Sequence, residues 1–230
     1  MPTLADILAS LPSITTSTAL AGMFVTASLI ILLREWSQAL LALVLQYLLF
    51  GWLLTMLIPL PLALIKSLMG AIACVILYWS ARRIGELQIM SSGPVKLDEA
   101  VRRRQAIQLA TGFSMRMPFR VAALSLAALA TYGLASRYPL PDVPPVVSLA
   151  CTWLAVAALV LLGLTESPFR VGIGLLTWLM AFEMFYVSWE RSLTIAGFLG
   201  MVTLLVALGA GYLISVRGAI PPTADIGEEA

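Results

Sequence analysis

Of the 14 basic and 12 acidic residues in this chain, only Lys66 and Glu183 fall inside apolar runs, and every other formal charge lies at or beyond the end of one. An ionised side chain in hydrocarbon costs on the order of 3 kcal/mol on insertion scales, so such a residue pairs with an opposite charge, lines a water-filled path or carries protons. Other candidates for chemistry are few. The chain has no histidine, which removes the commonest proton shuttle and general base. Protonation must then fall to carboxylate, lysine or tyrosine. Cys74 and Cys151 stand in separate apolar runs, with no histidine to help them complete a metal or haem site, and read as small buried hydrophobes. No metal, haem or other cofactor is expected. Beyond Glu183 there is no clustered acid, base and nucleophile set, which disfavours an intramembrane enzyme acting on lipid.

The elements that must position these two charges follow from composition. With 60% hydrophobic and 11% charged residues and a mean hydropathy of +0.97, the chain cannot furnish a water-soluble surface. It reads as an all-α, polytopic transmembrane helical bundle. A span needs about 20 mostly apolar residues, and punctuation by proline and charge gives seven: 16–33, 37–57, 61–80, 119–136, 145–164, 171–189 and 193–216. The fourth tapers from Tyr132 to Tyr138 into Arg137 and a proline cluster, so six spans is the alternative. Lys and Arg gather on the cytoplasmic side of a membrane. In the seven-span reading one face holds Arg34, Arg82, Arg83, Lys96, Arg102, Arg103, Arg104, Arg116, Arg120, Arg170 and Arg217, and the other only Arg137 and Arg191. That asymmetry predicts the N-terminus outside and the C-terminus inside, in the cell inner (cytoplasmic) membrane. The first twelve residues carry Asp6 and no Lys or Arg, unlike the positive start of a cleavable signal peptide, so the first span is expected to be retained.

Four segments result: three spans over 1–80, a basic cytoplasmic loop over 81–118, four spans over 119–217, and an acidic tail over 218–230 expected to be disordered. Within the loop, 96–111 predicts a short amphipathic helix, with Asp98 and Glu99 suiting the positive end of its dipole. Arg102, Arg103 and Arg104 offer contacts to anionic lipid or to an acidic partner, or serve only to fix topology. Nucleic acid is not an expected partner. The last span places Ala196, Gly200, Ala207 and Gly211 at roughly four-residue intervals, a small face on which another helix packs closely. No inverted repeat with paired broken helices is visible, which weakens a free-standing secondary transporter.

Depth now follows from helix rise. Lys66 lies five residues past Pro61, about 7 Å from the outer end of the third span, and Glu183 six before Trp189, about 9 Å from the outer end of the sixth. A pair is geometrically allowed. The alternative for Lys66 is that its long stem reaches outward to headgroups or water; Glu183 has a shorter stem and is flanked by Phe182 and Met184. Gln46, Tyr47, Ser67, Thr177 and Trp178 are candidate polar contacts, although such residues commonly serve as ordinary interhelical hydrogen-bonders.

The segment Leu179-Met180-Ala181-Phe182-Glu183-Met184-Phe185 resembles the second helix of the three-helix K-type (chain 4L) subunit of respiratory complex I, which carries an intramembrane glutamate in a Leu-Met-x-x-Glu-Leu-Met setting. The corresponding small component of multi-subunit sodium/proton antiporters belongs to the same family. In length and in having extra spans before the K-like part, the chain is similar to component E of hydrogenase-4 and formate hydrogenlyase, whose third-span lysine matches Lys66. The K-type family's second glutamate has no counterpart, since 192–213 contains no acid, so carry-over is confined to Glu183 and, for the hydrogenase component, Lys66. The resemblance implies a non-redox membrane-arm subunit, without cofactor, that works among other membrane subunits and contributes to proton or cation translocation through Glu183. The second expectation is a structural or assembly subunit in which the charges hold helices in register.

Overall fold

A computed structural model describes residues 4–33, 35–55, 57–91, 99–138, 144–165, 167–189 and 193–219. They form seven helices: α1 (Leu4–Leu32), α2 (Trp36–Leu54), α3 (Leu60–Ser91), α4 (Glu99–Arg137), α5 (Pro145–Gly163), α6 (Pro168–Trp189) and α7 (Leu193–Ala219). Prolines open α5 and α6 and stand second in α3, where the missing N–H is one that the first helical turn leaves unpaired anyway. Six helices carry stretches long and apolar enough to cross a membrane, including Pro118–Arg137 of α4; the apolar stretch Ser17–Leu32 of α1 is shorter. The expected amphipathic helix over 96–111 and the fourth span are not separate. They join into one 39-residue helix that continues through Pro118. Proline removes one backbone hydrogen bond, and the good helix formers Gln105, Ala106, Leu109, Ala110, Met115 and Met117 favour continuation on its N-terminal side.

Packing arranges the helices as two four-membered rings that share an edge. Helices α2, α3, α7 and α6 each pack on the next and close, with α3 and α6 on opposite corners. A second ring of α1, α2, α6 and α5 shares the α2–α6 edge, and α4 packs outside it on α5 and α1. Without a hydrophobic drive between helices in lipid, close backbone approach matters more than in water. The small face of α7 supplies it against α3: a side chain at Gly200 would collide with the Met69 thioether, and one at Gly211 would meet Ser80 Oγ at 2.6 Å. Across the α2–α3 edge, Gly70 leaves room for the ring of Tyr47 and Gly51 for Ser67. Large side chains such as Leu64, Ile65, Leu68, Val75 and Trp79 of α3 point outward, as suits helices solvated by lipid.

Two arginines that counted toward the charge asymmetry have a structural task. Arg120 of α4 donates from Nη1 to Ile31 O (3.2 Å), and Arg170 of α6 from Nη2 to Leu33 O (2.5 Å). The last carbonyls of a helix have no partner within it and carry partial negative charge, so cations there are stabilising. Together they tie α4 and α6 to the end of α1. Replacing Arg170 by Ala is expected to destabilise the bundle by about 1.5–3 kcal/mol, the range for hydrogen bonds to charged groups. Thermal unfolding in detergent reads this, and an unchanged midpoint contradicts the capping role.

Candidate functional site

Lys66 projects into the first ring because α3 turns one face inward: Ala63, Lys66, Gly70, Ala73, Cys74 and Leu77 are all buried. These positions recur at three- and four-residue steps, the spacing of one helical stripe. The inward stripe of α6 is Ile173, Leu176, Thr177, Met180, Glu183, Met184 and Val187, while Phe182 and Phe185 face out. Between the two helices, Lys66 Nζ donates to Glu183 Oε1 at 2.8 Å, and both side chains are 5% exposed. The outward-reaching alternative for Lys66 is therefore overturned: a carboxylate within reach across the ring offers its ammonium a partner that the short path to the headgroups does not. Counting from Leu60 and from Trp189, both charges lie six residues, about 9 Å, inside their helix ends.

A third helix contributes Thr203. Its Oγ1 lies 3.4 Å from Glu183 Oε1 and 3.0 Å from the backbone oxygen of Leu199 on its own helix. A hydroxyl has one proton to donate, so the shorter bond to Leu199 holds it and the carboxylate receives a weak, shared contact. Sequence reasoning passed over Thr203 because it read that face of α7 as packing alone. The available signal was its place three residues beyond Gly200, on the face that meets α3.

The candidate polar contacts fare differently. Gln46 is fully buried, and its Nε2 reaches only Met180 Sδ at 3.9 Å, a weak acceptor. Tyr47 is buried beside Gly70. Among the described residues, neither Gln46 Oε1 nor the Tyr47 hydroxyl has a hydrogen-bond partner. Ser67 packs at Gly51, Thr177 bonds back to Ile173 O at 2.9 Å, and Trp178 lines an apolar groove with Cys151 and Phe182. Cys74 and Cys151 are both buried free thiols on separate helices, the latter donating to Ala181 O at 3.2 Å. The side chains of Arg102, Arg103 and Arg104, and the tail beyond 219, lie outside the described residues.

The energetics of the pair decide what it can do. At an effective dielectric near 20, two unit charges 2.8 Å apart attract by about 6 kcal/mol, while desolvation costs several kcal/mol for each ion. These terms nearly cancel. A pair so balanced responds to a modest change in surroundings, such as a shift of α7, a new charge nearby or an arriving proton. Comparison of the chain with protein-family models, with curated proteins and with solved structures finds no match.

Proposed function

We propose that this chain is a membrane-arm subunit of an ion-translocating assembly, in which Glu183 takes up and releases protons and Lys66 is its switchable counter-ion. The observation that carries the reading is the buried Lys66–Glu183 pair spanning opposite corners of one helix ring. Protonating Glu183 removes the attraction and leaves the ammonium of Lys66 facing a neutral acid. Lys66 then must find another partner or repel the next cation, which couples proton arrival to movement of α3 or of a neighbouring subunit. The chain offers no flavin, haem or cluster ligand set in its sequence, so the free energy for such movement comes from redox or exchange chemistry in partner subunits. The resemblance of 179–185 to the K-type subunit, and the similarity to component E of hydrogenase-4 in length, in extra leading spans and in a third-span lysine, support a complex I-like, hydrogenase-like or antiporter-like parent.

The charge asymmetry supports an outward N-terminus and an inward C-terminus in the cytoplasmic membrane. It also supports a cytoplasmic position for the basic half of α4. If α4 keeps its axis across Pro118, Arg102–Arg104 stand 14 to 16 residues beyond it, about 21–24 Å. That exceeds the Debye length of about 8 Å that limits the pull of anionic lipid, so an acidic protein surface suits the three arginines better.

Purification through a C-terminal tag in mild detergent, followed by mass spectrometry of the co-purifying chains, tests the assignment. Antiporter-like membrane subunits are expected in the eluate, and a lone monomer overturns it. A second reading, a register-holding subunit without transport, is favoured by one observation: the pair ties α3 and α6, which stand on opposite corners of their ring.

A further inference from the structure

An open groove of about 360 Å³ runs down the outside of the bundle between α4 and α6. It arises because α4 packs on α5 and α1, while α6 gives its packed faces to α5, α7 and α2. Leu134 and Tyr138 of α4 and Phe182 and Phe185 of α6 line its sides, with Thr152 and Ala155 of α5 between them. The four side residues stay 44–72% exposed, so nothing among the described residues fills the space. Its floor asks for no polar ligand. The Thr152 hydroxyl donates to Ser148 O at 2.9 Å and the Cys151 thiol to Ala181 O at 3.2 Å, so both protons are already held.

The depth of the groove matches one leaflet. Tyr138, at its mouth, lies one residue past the end of α4 at Arg137. Phe185 lies four residues and the lining residue Trp178 eleven from the end of α6 at Trp189, and Ala155 ten from the start of α5 at Pro145. At 1.5 Å per residue the lining therefore reaches from the helix ends to about 16 Å below them. The hydrocarbon core is about 30 Å thick, so the groove stops near the midplane. A partner's transmembrane helix would cross both leaflets, and at 10–12 Å in diameter it occupies roughly 1,300–1,800 Å³ over that depth. The groove offers a fraction of that volume. One acyl chain is as long as one leaflet and far thinner than a helix.

Water does not solvate an apolar slot at bilayer depth, and an empty one forfeits the dispersion contacts of its lining. The mouth adds a charge of the right sign. Arg137 is exposed beside Tyr138 and is one of only two basic residues that the charge asymmetry leaves on this side. A guanidinium at the level of the headgroups pairs with phosphate through two parallel hydrogen bonds. The helix beside it also lacks support, since within Pro118–Arg137 only Ala127 and Thr131 are buried.

We propose that the groove is a phospholipid site, in which one acyl chain lies between α4 and α6 and Arg137 holds the headgroup phosphate. The chain gives α4 the contact with α6 that the protein does not. With 3.6 residues per turn, Ala181, Phe182 and Phe185 lie on the side of α6 away from Glu183, so the lipid braces that helix from behind the ion pair. Its leaflet is the outer one in the orientation proposed above; the groove itself does not depend on the role of Glu183. Native mass spectrometry of the full chain in mild detergent, titrated with palmitoyl-oleoyl phosphatidylglycerol, counts the lipids bound. One lipid is expected to bind roughly tenfold or more tighter than the next. Ala155→Phe, which fills the floor, is expected to erase that difference, whereas Ala128→Phe on the exposed side of α4 keeps it. Arg137→Gln, a change at an exposed position, is expected to weaken the first site roughly fivefold or more by removing the charge-assisted bonds to phosphate. Single-chain lysophosphatidylglycerol should displace the lipid and glycerol 3-phosphate should not. A first lipid no tighter than the rest, one indifferent to Ala155→Phe or to Arg137→Gln, or displacement by glycerol 3-phosphate alone overturns the site. In intact cell membranes, p-benzoylphenylalanine in place of Phe182 is expected to gain the mass of a phospholipid on irradiation. A cross-link to a second copy or to another polypeptide instead shows that protein covers the groove, and overturns it.

Discussion

Proton translocation per assembled molecule falls to background in the Glu183→Gln variant. Glutamine keeps the shape of the side chain and an oxygen able to accept from Lys66 Nζ, now 2.8 Å from Glu183 Oε1, but it can neither bind nor release a proton at neutral pH. The change therefore removes the chemistry and leaves the packing. It also strands Lys66 in a side-chain environment only 5% exposed. Removing one partner of a buried pair typically costs about 3–5 kcal/mol. Some loss of yield is thus expected, and translocation must be normalised to the amount of assembled complex. Acidification of inverted membrane vesicles, followed by quenching of a pH-sensitive dye during turnover of the parent complex, gives the rate. Undiminished translocation per complex in Glu183→Gln sinks the proton-carrying role outright.

Much of this site could be read before any fold was known, for identifiable reasons. Hydrocarbon penalises charge so heavily that Lys66 and Glu183 stand out from composition alone, and proline and arginine mark helix ends closely enough to fix their depth. Equal depth allowed a pair but did not require one, because depth says nothing about which helices are neighbours. That choice came from contacts invisible in a linear reading: the room that Gly70 leaves for Tyr47, and the approach of Gly200 to Met69 that brings Thr203 toward the carboxylate. Each depends on residues far apart in the chain. The same holds for α4, where the expectation of a short helix over 96–111 and a separate span over 119–136 followed a real local signal, Pro118, that helix-forming neighbours overrode. Gln46 and Tyr47 show the limit most clearly. As a sequence they are two polar residues in an apolar span, and only packing on every side reveals that, among the described residues, nothing answers Gln46 Oε1 or the Tyr47 hydroxyl.

Neutralising both charges together should cost much less stability than the two single changes added. In Lys66→Met, Glu183 keeps only the 3.4 Å contact from Thr203, and in Glu183→Gln the ammonium of Lys66 has no counter-charge. Breaking a buried pair from one side typically costs about 3–5 kcal/mol, whereas replacing the whole pair by uncharged groups is often neutral. The double variant Lys66→Met/Glu183→Gln leaves no unpaired charge, so a coupling energy of about 3 kcal/mol or more is expected between the sites, at or above the top of the range for residues in direct contact. Unfolding of the four proteins by SDS titration from mixed micelles measures it. Additivity to within about 0.5 kcal/mol would mean that the two side chains do not meet in the membrane. The same four proteins separate the two functional readings. If the pair only holds α3 and α6 in register, the double variant regains both assembly and the parent complex's translocation. If Glu183 carries the proton, the double variant regains assembly and remains unable to translocate, because stability has been restored without a group that can ionise.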